Sequence, residues 1–200
     1  MIGIYGGSFD PVHIGHLASA AFLKSELNLE KCLLMPCAIP VHKMGLHYSN
    51  SQRLEMLNLA ILDYIELEID SREIARGGDS YTIDTLRELK SEQPNETFCL
   101  IIGMDSFMQF MSWKNWQDFA SLAHLIVLPR PNYQNNNRSL ASFETTEDKQ
   151  LLTEHQNGLL YFSMCPLIDV SSSEIRGKIA ANKNLDDFLP KPIINYIKKQ

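Results

Sequence analysis

Between the first apolar run and the next helical pattern the chain reads Gly6-Gly7-Ser8-Phe9-Asp10-Pro11-Val12-His13-Ile14-Gly15-His16. Glycines let backbone amides approach an anion closely, and a helix starting just after them adds about half a positive charge at its N-terminus. His13 and His16 are three residues apart, so at a helix start they share one face and both imidazoles can address one phosphate. Either histidine alone would be read as an ordinary surface or capping residue; the glycine-rich turn ahead of both makes phosphate chemistry the sharper expectation. The chain lacks G-x-x-x-x-G-K-[ST] and G-x-G-x-x-G, and also H-E-x-x-H and G-x-S-x-G. The expectation is therefore phosphate chemistry without a Walker lysine.

A second segment, Val170-Ser171-Ser172-Ser173-Glu174-Ile175-Arg176, runs from a strand end into a helix start. In the plain reading its serines cap the helix. In the functional reading Ser172, Ser173 and nearby amides bind the terminal phosphates of a nucleotide, and Arg176 supplies fixed positive charge. Cys32, Cys37, His42 and His47 follow C-x4-C-x4-H-x4-H. Cys32 lies in an expected strand and neither cysteine pair has C-x2-C spacing, which argues against zinc, and no metal ligand is assigned. Cys99 and Cys165 sit in apolar runs as unpaired structural thiols do.

The elements that must position these residues alternate along the chain, as strands and helices do around a parallel sheet. A strand over Met1–Tyr5, a helix over Gly15–Leu27 and a strand over Lys31–Pro36 make a first βαβ unit. A helix over Ser51–Leu62, capped by Ser49, Asn50 or Ser51, precedes a strand over Tyr64–Ile69. Ser80-Tyr81-Thr82 opens a helix through Leu89, and Thr97–Ile102 is a buried strand. Trp113–Leu122 is expected to be helical and His124–Leu128 another buried strand; Pro129–Asn137 is a breaker-rich surface loop. Tyr161–Met164 and Leu167–Val170 are expected strands, followed by helices over Ser171–Ala181 and Pro190–Lys199. The expected fold is α/β: one Rossmann-like domain over residues 1–200, a doubly wound parallel sheet with helices on both faces.

Composition agrees with such a domain. The 200 residues are 44% hydrophobic and 21% charged, enough for one substantial core. Eighteen Lys and Arg against 24 Asp and Glu give a formal charge of -6, which offers no general support for binding nucleic acid or anionic lipid. A polyanionic ligand must therefore meet a local positive site. No stretch approaches the roughly 20 apolar residues that span a bilayer, and the first residues lack signal-peptide features, so a cytoplasmic protein is expected.

Taken together, the two motifs resemble those of the nucleotidylyltransferase superfamily, where G-x-F-D-P-x-H-x-G-H and I-S-S-T-x-I-R flank one ATP site. His13-Ile14-Gly15-His16 matches H-x-G-H. Over almost its whole length the chain resembles more closely the bacterial nicotinate-nucleotide adenylyltransferase family. The further pieces are Pro40-Val41-His42-Lys43, Gln52-Arg53, Ser80-Tyr81-Thr82, Ile101 through Ser106, Trp113, and His124 through Val127 with Arg130-Pro131. Ser8 stands where threonine is frequent, Val170 for isoleucine and Ser173 for threonine, each keeping the needed chemical character.

The resemblance implies transfer of the adenylyl group of ATP to nicotinate mononucleotide, giving deamido-NAD and pyrophosphate without a covalent enzyme intermediate. It implies that amides near Gly7, Ser8 and Phe9 cradle phosphates, that His13 and His16 donate to the reacting α-phosphate, and that Lys43 and Arg176 add charge. Gly103 and Asp105 fall at a strand's carboxyl edge, where Asp105 accepts from a ribose hydroxyl or caps the next helix. Ser80, Tyr81, Thr82 and Trp113 are implied to receive the nicotinate end, Trp113 by its indole face, with Arg130 also on the substrate side. Mg2+ is expected with the ATP, and a homo-oligomer is possible. The competing readings are an enzyme acting on nicotinamide mononucleotide, the phosphopantetheine adenylyltransferase family, where threonine typically replaces His13, and a non-catalytic nucleotide sensor. The aminoacyl-tRNA synthetases of class I also carry H-I-G-H, but this chain is too short for them and has no K-M-S-K-S.

Overall fold

The computed structural model describes residues 1–41, 45–130, 133 and 139–199. Its centre is a seven-stranded parallel sheet in the order β4-β2-β1-β6-β7-β9-β8, with β1 at Ile2–Gly7, β2 at Lys31–Pro36, β4 at Leu67–Ile69, β6 at Phe98–Gly103, β7 at His124–Leu128, β8 at Glu144–Thr146 and β9 at Leu159–Phe162. β3 (Ile39–Pro40) and β5 (Asp79–Ser80) form a separate parallel pair. From β1 the chain winds outward through β2 to β4, then returns to β6 on the other side of β1. The order reverses between β1 and β6, and in open parallel sheets ligands bind at the carboxyl ends of the strands beside such a switch. Both of those ends are glycines, Gly7 and Gly103.

β6 and β7 are buried along their whole length, as expected of interior strands covered on both faces. Their side chains alternate between two cores. Cys99, Ile101, Ile126 and Leu128 join Leu17, Leu23, Met56 and Ile193 on one face, whereas Leu100, Ile102, Leu125 and Val127 join Ile83, Leu86, Phe110 and Phe119 on the other. The first face is covered by α1 (Ile14–Glu26), α2 (Asn50–Ala60), α7 (Ser172–Ala180) and α8 (Lys191–Ile197); α4 (Thr82–Glu92) and the short α5 (Met104–Phe107) cover the second. The short helices α3 (Arg72–Arg76) and α6 (Leu151–Glu154) complete the helical set of the described residues. Among these residues no helix is long and apolar enough to cross a membrane.

The expected elements recur, with several corrections. Among the three candidate caps of α2, Ser49 is the one used: its hydroxyl accepts from Gln52 N, while Gln52 Oε1 accepts from Ser49 N. Trp113–Leu122 is not an α-helix. A 3-10 turn at Phe110–Ser112 and a 3-10 helix at Trp116–Ser121 flank Asn115, whose left-handed backbone interrupts helical continuity. The packing of Phe110, Trp113 and Phe119, with ring centroids 5.0 to 5.9 Å apart, prevails there over helical periodicity. Leu167–Val170 pairs with no strand, because Val170 N turns back onto Ile168 O at 2.9 Å. The edge strand β8 and the β3–β5 pair, both short and weakly patterned, were not expected. Most of the loop expected over 129–137 lies outside the described residues, as does His42 of the cysteine–histidine pattern.

Arg53 on α2 is fully buried. Its guanidinium donates to the carbonyl oxygens of Ser8 and Cys37, to Ala38 O at 3.3 Å and to Asn50 Oδ1 at 2.7 Å. It thereby ties the turn after β1 to the chain leaving β2, in a place where lost hydrogen bonds are not replaced by water. Arg53→Met is expected to lower the unfolding free energy by about 3 kcal/mol in urea titration, because it strands several buried carbonyls at once.

Candidate active site

The turn between β1 and α1 is shaped by Phe9, at φ 45°, and by Asp10-Pro11, a cis peptide. Phe9 is buried, and its ring lies edge-on to His16 at 5.0 Å and to Tyr5 at 6.1 Å. His13 is the N-cap of α1 in extended conformation, but its side chain caps no backbone amide. Instead its ring stacks on that of His16, with centroids 3.7 Å apart and planes 27° from parallel. Gly15 makes this stack possible. A Cβ there would come within 2.7 Å of Val170 Cγ1 and 3.1 Å of His13 Nδ1, so any side chain would displace the imidazole or the Val170 side chain opposite.

The two rings open into a cleft bounded by Tyr5, Ser19, Leu128, Arg130 and the segment from Cys165 to Val170. His13 is only 2% exposed, and burial, with the nearby Arg130 charge second, lowers its pKa from 6.5 to about 3. The ring is therefore neutral near pH 7, and among the described residues its Nδ1 has no partner. It offers a hydrogen bond and not a charge until an anion enters beside it.

The serine-rich motif meets this turn directly. Ser171 is the N-cap of α7 and accepts from Glu174 N, as the plain reading required. Ser172 Oγ donates to Pro11 O at 3.0 Å; Arg176 Nη1 donates to Asp10 O at 2.6 Å, and Nη2 to Ser173 Oγ at 3.1 Å. The Asp10 carboxylate is buried and accepts from His47 N and Tyr48 N, each at 2.9 Å, while Arg176 lies 3.4 Å from its Oδ2. Asp10, to which the motif by itself gives no role, joins three separate segments.

At the next strand end Gly103 is the N-cap of α5, so Asp105 is in the first turn and is not itself the cap. Asp105 Oδ1 lies 3.4 Å from Arg130 Nε. A Cβ on Gly103 would crowd both side chains, which would have to shift to admit it. Arg130, expected with the nicotinate-side residues, lines the histidine cleft instead. The other nicotinate-side candidates do converge: Ser80, Tyr81, Thr82 and Trp113 line a second cleft with Val41, Ile83, Lys114 and Phe119. Ser80 accepts from Ala38 N at 2.8 Å, so its hydroxyl is already engaged. Lys114, which spacing did not single out, sits 4.4 Å from the Tyr81 ring centroid and 2.8 Å from Asp84. Lys43 lies outside the described residues.

Among the described residues no three His, Cys, Asp or Glu converge as metal ligands. Cys32 is buried, and burial pushes its thiol up to about 12, so it does not present a thiolate.

Because the native pKa of His13 lies below its unfolded value, the unfolded chain binds more protons between them. The stabilisation from a neutral His13 is complete above about pH 6.5 and is lost as pH falls toward 3. His13→Gln is expected to flatten the dependence of unfolding free energy on pH across that window. In the ligand-free protein the His13 Cε1–H resonance should not titrate between pH 5 and 8; a midpoint near 6.5 would contradict the buried geometry.

Residues 4–178 match the family model for cytidylyltransferase-like proteins. The chain is 45% identical over 197 residues to a probable nicotinate-nucleotide adenylyltransferase of Vesicomyosocius okutanii, covering 98% of this chain and 93% of that one. It is 42% identical over 203 residues to the protein of the same description from Psychromonas ingrahamii, covering 100% and 95%. Among solved structures, the Plasmodium falciparum nicotinic acid mononucleotide adenylyltransferase complexed with NaAD shares the fold, with a TM-score of 0.76 at 19% identity over 99% of this chain and 94% of that one. With a paired-histidine turn and a serine–arginine helix start meeting at one sheet edge, and similarity of this extent, the chain belongs to the nicotinate-nucleotide adenylyltransferases of the cytidylyltransferase-like family.

Proposed function

We propose that this protein transfers the adenylyl group of ATP to nicotinate mononucleotide, releasing pyrophosphate and forming deamido-NAD in NAD biosynthesis. The observation that carries the reading is the pair of clefts: one with stacked imidazoles beside a glycine-ended strand, the other with an indole and an open helix start. Support also comes from relatives of this description aligned over nearly the whole chain. The mononucleotide phosphate attacks the α-phosphorus of ATP in line, and pyrophosphate leaves. Catalysis then consists of positioning two polyanions and stabilising charge as it builds.

In this reading the Gly7–Phe9 amides and the imidazoles of His13 and His16 surround the reacting phosphate. Ser172, Ser173 and Arg176 lie toward the departing pyrophosphate, and Lys43 adds positive charge. For Arg176 this means exchanging part of its hold on Asp10 and Ser173 for phosphate oxygens. Gly103 and Asp105 border the nucleoside of ATP, with Arg130 closing the same cleft. The pyridine ring lies against Trp113, and its carboxylate meets the start of α4 at Tyr81 and Thr82, where no side chain caps the helix. Lys114 is the one charged side chain among the described residues lining that cleft, which favours the acid over the amide.

Magnesium enters as part of the ATP substrate. Asp10, the carboxylate within the phosphate turn, is already engaged by two backbone amides and Arg176, so a hydrated ion carried on the triphosphate fits better than one held by a protein cage.

Purified protein given magnesium, ATP and nicotinate mononucleotide is expected to release pyrophosphate, with a lower kcat/KM for the nicotinamide form and no reaction with phosphopantetheine. Nucleotide binding without turnover on any of these substrates would favour the sensor reading. His16→Ala is expected to reduce kcat by roughly 10²–10³ while shifting Tm little, since it removes a donor to transition-state charge. A comparable loss of stability would make His16 a packing residue.

A further inference from the structure

The polar groups described so far belong to the two clefts or to the turn after β1. Glu73 on α3 belongs to neither, yet it is only 5% exposed. Its Oε1 accepts from Thr85 Oγ1 at 2.7 Å, and the Ser80 hydroxyl hydrogen-bonds the same carboxylate. Thr85 in turn accepts from Arg76 Nη2 at 2.7 Å. A carboxylate in this position bears a desolvation cost that packing alone would not require, and it is tolerated because hydroxyl donors meet it.

Its placement relative to the chain is informative. Between Glu73 and Ser80 run Gly77 and Gly78, both in the left-handed region at φ 69° and 70°, a connection with little stiffness of its own. Ser80 lies just before the cleft-lining Tyr81 and Thr82, and Thr85 lies just after them in the first turn of α4. One buried carboxylate therefore holds both ends of the segment that forms one wall of the second cleft. The same bonds continue to the other cleft: Ser80 Oγ accepts from Ala38 N, Ala38 O accepts from Arg53, and Arg53 donates to Ser8 O beneath the phosphate turn.

We propose that Glu73 is a positioning residue for the mononucleotide: it holds the Ser80–Thr85 segment so that the open start of α4 stands at a fixed distance from Trp113 and in register with the phosphate turn. The proposal rests on assigning the second cleft to the pyridine mononucleotide. Glu73 does not touch substrate. It acts through Ser80 and Thr85, so its loss acts on one substrate and not on both.

The test is steady-state kinetics with each substrate varied separately, for the unaltered enzyme, Glu73→Gln, Ser80→Ala, Thr85→Val and the Glu73→Gln/Ser80→Ala double variant. Glu73→Gln keeps the size and one acceptor oxygen but replaces the other oxygen with an amide donor, so the side chain no longer accepts from both hydroxyls as the carboxylate does. It is expected to raise KM for nicotinate mononucleotide roughly tenfold while leaving KM for ATP within about twofold. Adding Ser80→Ala should raise it little further, because the two residues act as one unit. A folded Glu73→Gln enzyme with unchanged KM for the mononucleotide, with both KM values raised equally, or with effects that simply add to those of Ser80→Ala, overturns the positioning role. Should Glu73→Gln not fold, Ser80→Ala and Thr85→Val each sever one arm; unchanged mononucleotide KM in both overturns it equally. Absence of turnover by the unaltered enzyme would instead overturn the assignment of the cleft.

Discussion

The Asp10 carboxylate accepts from the amides of His47 and Tyr48 and lies against Arg176, so the turn after β1, the approach to α2 and the start of α7 are held by one buried acid. Ser172 Oγ, donating to Pro11 O, adds a second tie, and Phe9, Val12, Tyr48 and Ile175 from the same segments pack in one core. The hydrogen bonds satisfy a charge that would otherwise be costly to bury, and in doing so they determine where the histidine pair and the serine-rich helix start face each other. The same arrangement keeps Arg176 beside the turn after β1 with its charge compensated by Asp10.

Histidine stacking is a second consequence of close packing in that region. Two imidazoles stack 3.7 Å apart, both largely removed from water, and His13 is held neutral by burial. A neutral donor in a low-dielectric cleft interacts weakly with water and strongly with developing negative charge, which is the electrostatic condition for stabilising a transition state. Gly15 maintains the stack sterically, much as Gly103 makes room for the Asp105–Arg130 pair. In both places the glycine serves its neighbours' side chains more than its own backbone.

The second cleft has a different construction. Its floor is aromatic, with Trp113 packed against Phe110 and Phe119, and the same packing explains why the expected helix over Trp113–Leu122 is broken into 3-10 turns. A regular helix would distribute these rings around its axis, whereas the interrupted path directs three of them to one place. Its other wall depends on a buried polar chain from Arg53 through Ser80 to Glu73 and Thr85, which gives a flexible, glycine-containing connection a defined position.

Local pattern was sufficient for the strand–helix alternation, for the buried interior strands β6 and β7, and for the two motifs, because period-two and period-3.6 burial, glycine turns and capping residues all act over a few positions. Gathering Ser80 through Thr82 with Trp113 was likewise legible through the resemblance. What remained for the tertiary structure was pairing at a distance: Arg176 with Asp10 across 166 residues, Arg130 with Asp105 in the histidine cleft, Arg53 under the phosphate turn and Glu73 behind the second cleft. A charged residue in a sequence has the same character whether it will be solvated or buried. Only the strand order, which brings β1 and β6 together and carries the later helices back over them, decides which partner it meets.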